Sequence, residues 1–294
     1  GHILTAGLEE AGAIVDFAVP DRITDGYGIN ERIIKEAYDD GVKLIVTCDN
    51  GIAALEQIEY AKSLGMDIVV TDHHDVQYED TAEGRQYLLP NADAVINPKH
   101  PRSESPFKEL CGASVAYKVV SALFEKLLIA PENMEKYLVF AGIATIGDVV
   151  ELKDENRIIA KEGIKRLNST DNPGLNALME ATNVADKRIT SYTIGFILGP
   201  CLNAGGRLST AMKAFSLLHT KDIHEANSIA TELTELNEQR KDMTVKGFEK
   251  ACEIIDSDES YGRDSVLLIN LPDCHESIVG IIAGRIREKY NKPV

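Results

Sequence analysis

The chain has 294 residues, of which 44% are hydrophobic, and carries a formal net charge of -16 at pH 7. This length leaves room for two folded domains. No apolar run approaches the roughly 18 residues of a membrane helix, and no basic segment followed by an apolar one marks a secretion signal. We therefore predict no membrane partner and a cytoplasmic location. The acidic charge argues against nucleic-acid binding, unless clustered carboxylates hold cations that face a phosphate.

The cysteines are odd in number, widely scattered and never in a CxxC pair. This pattern argues against a disulfide framework and against a structural zinc site. We predict that they are reduced residues in or near the core. They are Cys48, Cys111, Cys201, Cys252 and Cys274.

The N-terminal part of the chain alternates between helical and strand patterns. Short β-rich runs occupy residues 13–19, 42–48, 67–71 and 92–96. Helical patterns alternate with the first three of these runs, at about residues 3–11, 30–40 and 52–64. This alternation predicts an α/β fold with an open, mainly parallel sheet. Ligands of such sheets bind beyond the carboxyl ends of the strands.

The pattern from about 111 to 168 is helical, and a Gly- and Pro-rich stretch follows at 195–206. Apolar residues then recur every three or four positions over 221–256, which predicts one long amphipathic helix. Beyond it, DSVLLIN is interpreted as a strand and HESIVGIIAGRIREKY as a helix. We therefore predict a first domain over 1–217, a connecting helix over 218–257, and the start of a second α/β domain over 258–294.

Acid and imidazole groups follow two neighbouring strands of the predicted sheet. Asp49 ends the apolar run of IVTCDNGI, where it could alternatively cap the next helix. Asp72, His73 and His74 end the run of IVVTDHHDV, where the alternative is a bland surface pair of histidines. Imidazole with carboxylate suits Mn²⁺ or a similar ion, whereas carboxylates alone would suit Mg²⁺. One histidine is expected to ligate while the other faces substrate.

Three further stretches carry polar residues in unusual settings. Asp148 follows an apolar run in ATIGDVVEL and could be solvated, cap a helix or bind a cation. Asn203 and Arg207 lie in LGPCLNAGGRLS, where glycines permit close approach and a guanidinium matches phosphate geometry; a simple interdomain turn is the alternative. His275 and Ser277 precede the last helix, where a phosphate or a capping loop would fit equally.

With these residues in hand, the chain closely resembles the DHH phosphoesterases, and within them the RecJ-type exonucleases that degrade single-stranded DNA from the 5′ end. The resemblance rests on eight segments that occur in the family's order along essentially the whole chain. They are VPDRITDGYGIN, TCDNGI, VTDHHDV, INPKHP, LCGASVAYKVV, IGDVVEL, GPCLNAGGRLS and ESIVGIIAGRI.

The resemblance implies a role for each candidate residue. Two divalent cations, Mn²⁺ rather than Mg²⁺, would be held by Asp49, His73 and Asp148, with Asp49 bridging them. His74 would sit beside the cations and the scissile phosphate, and Asp72 would orient its neighbours. Arg207 would bind a backbone phosphate, and His275 occupies the place of a histidine of the second domain.

The chain also departs from the family pattern. The first motif, DxDG with two metal-binding aspartates, should precede the first helix, and Gly1 matches only its last residue. The glycine-rich GGH region of the second domain and a nucleic-acid-binding OB module are not found. We therefore expect an exonuclease of the parent protein, but weakened metal binding and little or no activity of this fragment.

The resemblance implies two-metal hydrolysis of single-stranded DNA to mononucleotides, in DNA repair and recombination. A single-strand-binding protein or a helicase is the expected partner protein, and the oligomeric state is not predicted. One alternative is a phosphodiesterase that acts on short oligonucleotides or cyclic dinucleotides. The other is an inactive replication scaffold, which is disfavoured because Asp49, His73 and Asp148 are all present.

Overall fold

The computed structural model describes residues 1–20, 25–26, 28–258 and 260–294. Residues 21–24 and 27, which belong to the segment VPDRITDGYGIN, lie outside the described residues, as does residue 259 in the predicted second domain.

A parallel sheet forms the centre of the N-terminal part. Its described strands are β1 (Leu44–Val46), β2 (Asp67–Thr71) and β5 (Ala94–Ile96), in the order β1-β2-β5. Both pairings are parallel, and the carboxyl ends of the strands therefore share one edge. This confirms the predicted parallel arrangement, with shorter outer strands than the apolar runs suggested.

Three helices accompany this sheet: α1 (His2–Glu10), α2 (Glu31–Asp39) and α3 (Leu55–Ser63). Asn30 begins α2, because its side chain accepts a hydrogen bond from the Ile33 amide at 3.0 Å and satisfies one free donor of the first turn. Buried apolar residues of α2 and α3 pack with those of the strand β2 in one cluster. Ile34 comes from α2, Ile58 and Ala61 come from α3, and Ile68 and Val70 come from β2, with Met66 in the preceding turn.

The strand predicted over 13–19 does not form. Residues 13–20 are described and none belongs to a strand or helix, and Ile14 is fully exposed. Alternating apolar residues make a strand only where a neighbouring strand accepts and donates its backbone hydrogen bonds. Phe17 of this segment instead stacks on Phe215 with ring centroids 3.6 Å apart.

A two-stranded antiparallel hairpin separates β2 from β5 and was not predicted. It consists of β3 (Tyr78–Thr81) and β4 (Gly84–Tyr87), and all of its residues are exposed. Because neither face is buried, the hydrophobic alternation that reveals a strand is missing. Arg85 covers the Tyr78 ring at 3.7 Å, a cation–π contact that helps to hold the pair together.

The middle of the chain is helical, as predicted from about residue 111. The elements are α4 (Gly112–Lys126), a 3₁₀ turn (Pro131–Met134), α5 (Glu135–Gly147), α6 (Asp154–Leu167) and α7 (Pro173–Ala181). Gly142 of α5 and Gly163 of α6 allow the two helices to touch backbone to backbone, since a Cβ on either would lie 2.7 Å from the Cα of the other. Six of the 13 residues of α5 are buried, among them Ala141, Gly142 and Ile143 around this contact.

The Gly- and Pro-rich stretch at 195–206 is helical rather than a loop. A turn α8 (Ser191–Thr193), a π-helical turn (Ile194–Leu198) and α9 (Gly199–Leu208) follow one another without a break. The small residues serve close packing: a Cβ on Gly205 would lie 3.0 Å from the Leu233 side chain of the long helix. The glycines therefore permit a helix–helix contact, which outweighs their low helix propensity.

The remaining helices are α10 (Met212–His219), α11 (Ile223–Ser257), α12 (Ser260–Arg263) and α13 (Glu276–Tyr290). The 35 residues of α11 confirm the predicted long helix. Its first half buries Ala226, Ala230 and Leu233 in one core, and its second half buries Ala251 and Ile255 in another. This agrees with a connecting helix, while the domain limits themselves stay a prediction.

The strand predicted within DSVLLIN is also wrong. Residues 264–270 are described and form no ladder, although Leu267 is buried between the exposed Val266 and Leu268. Side-chain burial therefore alternates as in a strand, but no strand pairs with this described segment. The Leu267 amide donates a hydrogen bond to the Pro293 carbonyl at 2.8 Å. Among the described residues, no helix is both long enough and apolar enough to cross a membrane.

Candidate metal centre

Asp49, His73 and Asp148 meet at one imidazole nitrogen. Nε2 of His73 lies 3.0 Å from Oδ1 of Asp49 and 3.7 Å from Oδ2 of Asp148. Ligand atoms of Asp49, His73 and His74 all lie within 4.8 Å of one another. Three distant segments thus bring two carboxylates and two imidazoles to the edge of the sheet where the strands end.

The backbone at Asp49 directs its side chain away from the sheet. Asp49 follows β1 with a φ of +63°, in the left-handed region that aspartate tolerates better than most residues. Its amide donates to the Thr71 carbonyl at 2.9 Å and so stays tied to β2. Gly51 turns the chain at a φ of +110°, where a Cβ would lie 2.9 Å from Oγ1 of Thr47.

Gly112, the first residue of α4, lies directly against the Asp49 side chain. A Cβ at this position would come 2.2 Å from Oδ1 of Asp49 and 2.6 Å from its Cγ. Gly112 was not predicted from the sequence as a residue of the site, although the segment LCGASVAYKVV contains it. The glycine lets the start of a helix approach the carboxylate, and any side chain would displace it.

We expect Gly112→Ala to lower the Mn²⁺ affinity of the chain by about 10- to 100-fold, because a displacement of order 1 Å in a positioned group has an effect of that size. Isothermal titration with MnCl₂ measures it. Gly280→Ala is the matched control, because a Cβ there meets no heavy atom within 4 Å. Equal affinities of the two variants would contradict the proposed role of Gly112.

The Asp72 carboxylate is buried and fully engaged. Its Oδ2 accepts from the Ile52 amide at 3.0 Å, and its Oδ1 accepts from the amides of His73 and His74 at 2.7 and 3.2 Å. Burial alone would raise the pKa of the Asp72 carboxyl, but these hydrogen bonds lower it below its usual value. With 1% of its side chain exposed, Asp72 is a positioning residue rather than one that touches substrate.

His74 is oriented by that same carboxylate. Its Nδ1 lies 2.7 Å from Oδ1 of Asp72, while 60% of the side chain is exposed. A carboxylate on Nδ1 favours the tautomer with the proton there, which leaves Nε2 available at the surface of the site. The rings of His73 and His74 have centroids 4.5 Å apart and therefore serve one site.

The charges of the site are coupled. The hydrogen bond to Asp49 raises the pKa of the His73 imidazole above its usual value, against the effect of partial burial. Burial and the negative charge of Asp49 together raise the pKa of the Asp148 carboxyl, although the charge of His73 opposes them. A carboxylate that is half exposed at the C-terminal end of α5 also faces the negative end of the helix dipole. Such an arrangement favours a cation as the missing partner.

Two further residues contact the histidine loop and were not singled out from the sequence. Nδ2 of the buried Asn97 donates to the His74 carbonyl at 2.9 Å, and Lys99 pairs with Asp75 at 2.9 Å. Both belong to the segment INPKHP after β5. The sequence feature that could have identified Asn97 is its position directly after the third strand of the parallel sheet.

A second group of candidate residues lies where α9 meets the start of α13. NH1 of Arg207 donates to the Ser277 carbonyl at 2.7 Å, and Oγ of Ser277 lies 2.7 Å from Nδ1 of His275. The imidazole of His275 also accepts from the Ser277 amide and so caps α13. Asn203 is exposed four residues before Arg207 on the same helix. The structure therefore brings three of the four predicted substrate-binding residues into contact.

Two more arginines stand near Arg207. The pKa of the Arg240 guanidinium is lowered by burial and then by the positive charges of Arg207 and Arg285. Within the described ranges, none of these three arginines has a carboxylate oxygen within 4.0 Å of its side-chain nitrogens. We call them the arginine cluster. In a chain with a net charge of -16, a cluster of cations without carboxylate partners points to an anionic ligand.

Comparison with known proteins identifies the family of this chain. The sequence profile of the DHH family, N-terminal domain, matches residues 2–146. The crystal structure of an exonuclease RecJ bound to manganese superimposes with a TM-score of 0.83 at 30% identity, over 99% of this chain and 70% of that one. The chain belongs to the RecJ group of the DHH family.

Other members of the RecJ group give the extent of the likeness. The single-stranded-DNA-specific exonuclease RecJ of Bacillus subtilis (strain 168) is 37% identical over 97% of this chain and 34% of its own length. That of Escherichia coli (strain K12) is 36% identical over 95% of this chain and 49% of its own length. This chain thus spans between a third and a half of these RecJ relatives. RecJ of Thermus thermophilus in complex with Mn²⁺ superimposes with a TM-score of 0.79 at 30% identity, over all of this chain and 40% of that one.

The donor set of the site fits a divalent cation. Imidazole nitrogen and carboxylate oxygen together suit Mn²⁺, and the carboxylates alone suit Mg²⁺. Ligand atoms of Asp49, His73 and His74 lie within 4.8 Å of one another, and the Asp148 carboxylate faces both His73 and the like charge of Asp49. The RecJ structure that superimposes on this chain is described as bound to manganese, which is consistent with a divalent cation as the ligand of this donor set.

Proposed function

We propose that this chain supplies the catalytic part of a metal-dependent exonuclease that hydrolyses single-stranded DNA from the 5′ end to mononucleotides. DNA repair and recombination in the cytoplasm are the setting in which such an activity is used. The observation that supports this most is that carboxylate oxygens of Asp49 and Asp148 both lie within 4 Å of Nε2 of His73. Membership of the RecJ group supports the choice of substrate.

Two divalent cations, Mn²⁺ in preference to Mg²⁺, would be held by Asp49, His73 and Asp148. The two oxygens of Asp49 allow it to bridge a pair of cations. When bound, the cations would lower the pKa of a water molecule and neutralise charge on the phosphoryl oxygens. The protein residues position the rest of the reaction.

His74 and Asp72 would act on the scissile phosphate as a unit. Asp72 accepts a hydrogen bond from the proton-bearing Nδ1 of His74, which leaves the lone pair of Nε2 free to accept a proton. The imidazolium so formed could then donate a hydrogen bond to a phosphoryl oxygen or a proton to the leaving oxygen. Because Asp72 is buried and binds three backbone amides as well, the imidazole would not have to reorient during the reaction.

The arginine cluster, with Ser277 and His275, would bind the 5′-terminal phosphate. Guanidinium groups match the geometry of phosphate oxygens, and the start of α13 adds backbone amides and a favourable helix dipole. Asn203 would contact the adjoining nucleotide. Capture of a terminal phosphate at this place would explain both the 5′ polarity and the release of mononucleotides.

The decisive experiment measures Mn²⁺-dependent release of mononucleotides from 5′-phosphorylated single strands. It uses a polypeptide that joins this chain to an upstream segment with the two aspartates of the first motif. We expect release that requires Mn²⁺ and stops with EDTA. Rapid turnover of a dinucleotide but none of a long strand would instead identify a small-substrate phosphodiesterase. Binding of single strands without any hydrolysis would identify a scaffold.

Arg207→Ala is expected to raise KM for a 5′-phosphorylated strand by roughly 10- to 100-fold, the equivalent of one charged hydrogen-bonding partner lost. The preference for a 5′-phosphate over a 5′-hydroxyl should fall with it. Steady-state kinetics on the two strands measure both effects, and Arg287→Ala, an exposed arginine of α13, is the control. If Arg207→Ala lowers stability but leaves the preference intact, its role is only the contact with Ser277.

We further propose that the single strand is supplied by a single-strand-binding protein or a helicase, because the predicted substrate must first be exposed from duplex DNA. Pull-down of purified candidates on the extended polypeptide, with and without DNA, tests this partner class.

A further inference from the structure

An exposed pair of aromatic side chains lies on the helical stretch that carries Arg207. Tyr192 and Phe196 are 64% and 70% exposed, and their rings stack with centroids 4.9 Å apart and planes inclined by 25°. We call them the aromatic pair. Two stacked aromatic rings that are exposed to solvent leave one flat ring face uncovered. A planar ligand group could stack on that face.

The aromatic pair and the candidate phosphate site lie on one continuous helical stretch, which consists of α8, the π-helical turn and α9. Tyr192, Phe196 and Asn203 of this stretch are exposed, and Arg207 is partly exposed. The intervening Ile194, Leu198, Cys201 and Ala204 are buried. Phe196 and Arg207 are eleven residues apart, which is about 16 Å along a helix axis.

The π-helical turn that carries Phe196 packs against α5, the helix that leads to Asp148. Gly195 lies between the two rings in sequence, and a Cβ on it would be 3.7 Å from Cγ2 of Ile146. Ile146 comes two residues before Asp148. The π-helical turn of Ile194–Leu198, a feature that is common at functional sites, therefore packs beside the end of the helix that delivers the ligand.

We propose that the aromatic pair stacks on bases of the single strand, on the 3′ side of the cleaved bond. The inference rests on the proposed function, because the strand's 5′ phosphate is placed at the arginine cluster, about 16 Å away along the helix. Bases that reach the aromatic pair therefore belong to nucleotides on the 3′ side of the cleaved bond. Every base has a π face, so that stacking holds a strand without selecting its sequence, as a nuclease for any single strand requires.

The proposed contact explains how an acidic chain could bind DNA. The arginine cluster supplies few positive charges for phosphates, and the chain as a whole is strongly acidic. Stacking adds affinity that does not depend on phosphate charge. The binding of the 3′ portion should therefore depend on bases more than on salt.

The test compares two 5′-phosphorylated single strands of about 16 nucleotides, near the upper end of single-strand site sizes. One is oligothymidylate, and the other has the same phosphates with abasic sugars at all internal positions. Fluorescence anisotropy measures their affinities for this chain with EDTA present, so that hydrolysis plays no part. We expect the chain to prefer the base-containing strand by roughly tenfold or more.

The variant Tyr192→Leu with Phe196→Leu keeps the apolar bulk but removes the rings. We expect it to bind oligothymidylate only as well as the abasic strand, while its affinity for the abasic strand stays at the original value. Phe196→Trp should retain the preference. Tyr38→Leu, a change of an exposed tyrosine at the opposite end of the strands, is the control and should bind like the unchanged chain.

The inference is overturned if the double leucine variant keeps the preference, or if the unchanged chain binds both strands equally or neither. It is also overturned if the variant changes only self-association in sedimentation, since the patch would then be a protein contact. Hydrolysis is measured separately, on the polypeptide extended with the first-motif aspartates. Loss of the base preference in the double leucine variant, together with no cleavage by the extended polypeptide, would support the stacking role and contradict the proposed nuclease.

Discussion

Asp49→Asn and His73→Ala should each reduce Mn²⁺-dependent hydrolysis of single-stranded DNA by roughly 10³-fold or more, because each loses several kcal/mol of charge stabilisation in the transition state. The two residues lie 3.0 Å apart through Oδ1 and Nε2 and supply the carboxylate and the imidazole of the candidate centre. The rate is measured on the polypeptide extended with the first-motif aspartates. Calorimetric titration of MnCl₂ should show a matching loss of affinity.

The control for both substitutions is Asp75→Asn. Asp75 belongs to the same TDHHD segment, but its side chain is 90% exposed and pairs with Lys99 rather than with the centre. We expect its rate and Mn²⁺ affinity to stay within a factor of a few of the unchanged protein, as for other surface ion pairs. A rate for Asp49→Asn equal to that of Asp75→Asn would show that the metal centre is wrongly assigned.

Asp72→Ala should have the second largest effect and should act on both stability and function. Three backbone amides and one imidazole lose their acceptor in a buried place, and each unsatisfied group costs about 1–3 kcal/mol. We therefore expect the free energy of unfolding to fall by about 3 kcal/mol. Mn²⁺ affinity should fall by roughly 10- to 100-fold, the usual effect of losing a group that orients a ligand.

Two comparisons separate these effects. Asp72→Asn keeps the shape and one acceptor oxygen, so that stability should recover in part while His74 remains poorly oriented and kcat stays low. Asp93→Ala removes a carboxylate that accepts from the Ile68 amide at 2.7 Å, at the opposite end of the same strand. It should lower stability without changing Mn²⁺ affinity. Equal Mn²⁺ affinities in Asp72→Ala and Asp93→Ala would reduce Asp72 to a structural residue.

The sequence was informative about the candidate site because its residues follow strands. Asp49 and Asp72 end two apolar runs, and parallel strands bring their carboxyl ends together whatever the rest of the fold does. The TDHHD segment placed acid and imidazole side by side on its own. Asp148 was harder, because a carboxylate after an apolar helix is equally consistent with solvent, a cap or a cation, and only the family resemblance chose among them.

The sequence misled where backbone pairing, rather than side-chain pattern, decides the structure. Residues 13–19 and 264–270 are apolar, β-rich runs like those of strands, and Leu267 is buried between exposed neighbours as in a strand. No neighbouring strand pairs with these described residues, and without cross-strand hydrogen bonds a strand does not form. For the glycines of 195–206 the sequence left a turn open as the alternative to close approach; the stretch is helical, and Gly205 allows contact with Leu233 of α11.

By itself, the sequence determined the parallel sheet, the long helix of 223–257 and the segments that bear acid and imidazole, because these follow from local periodicity and from the chemistry of adjacent residues. The tertiary structure decided the approach of Gly112 to Asp49 and the grouping of Arg207, Arg240 and Arg285. These groupings bring together residues separated by up to 78 positions. Their distances depend on how helices and strands pack together, and no local pattern of residues encodes that packing.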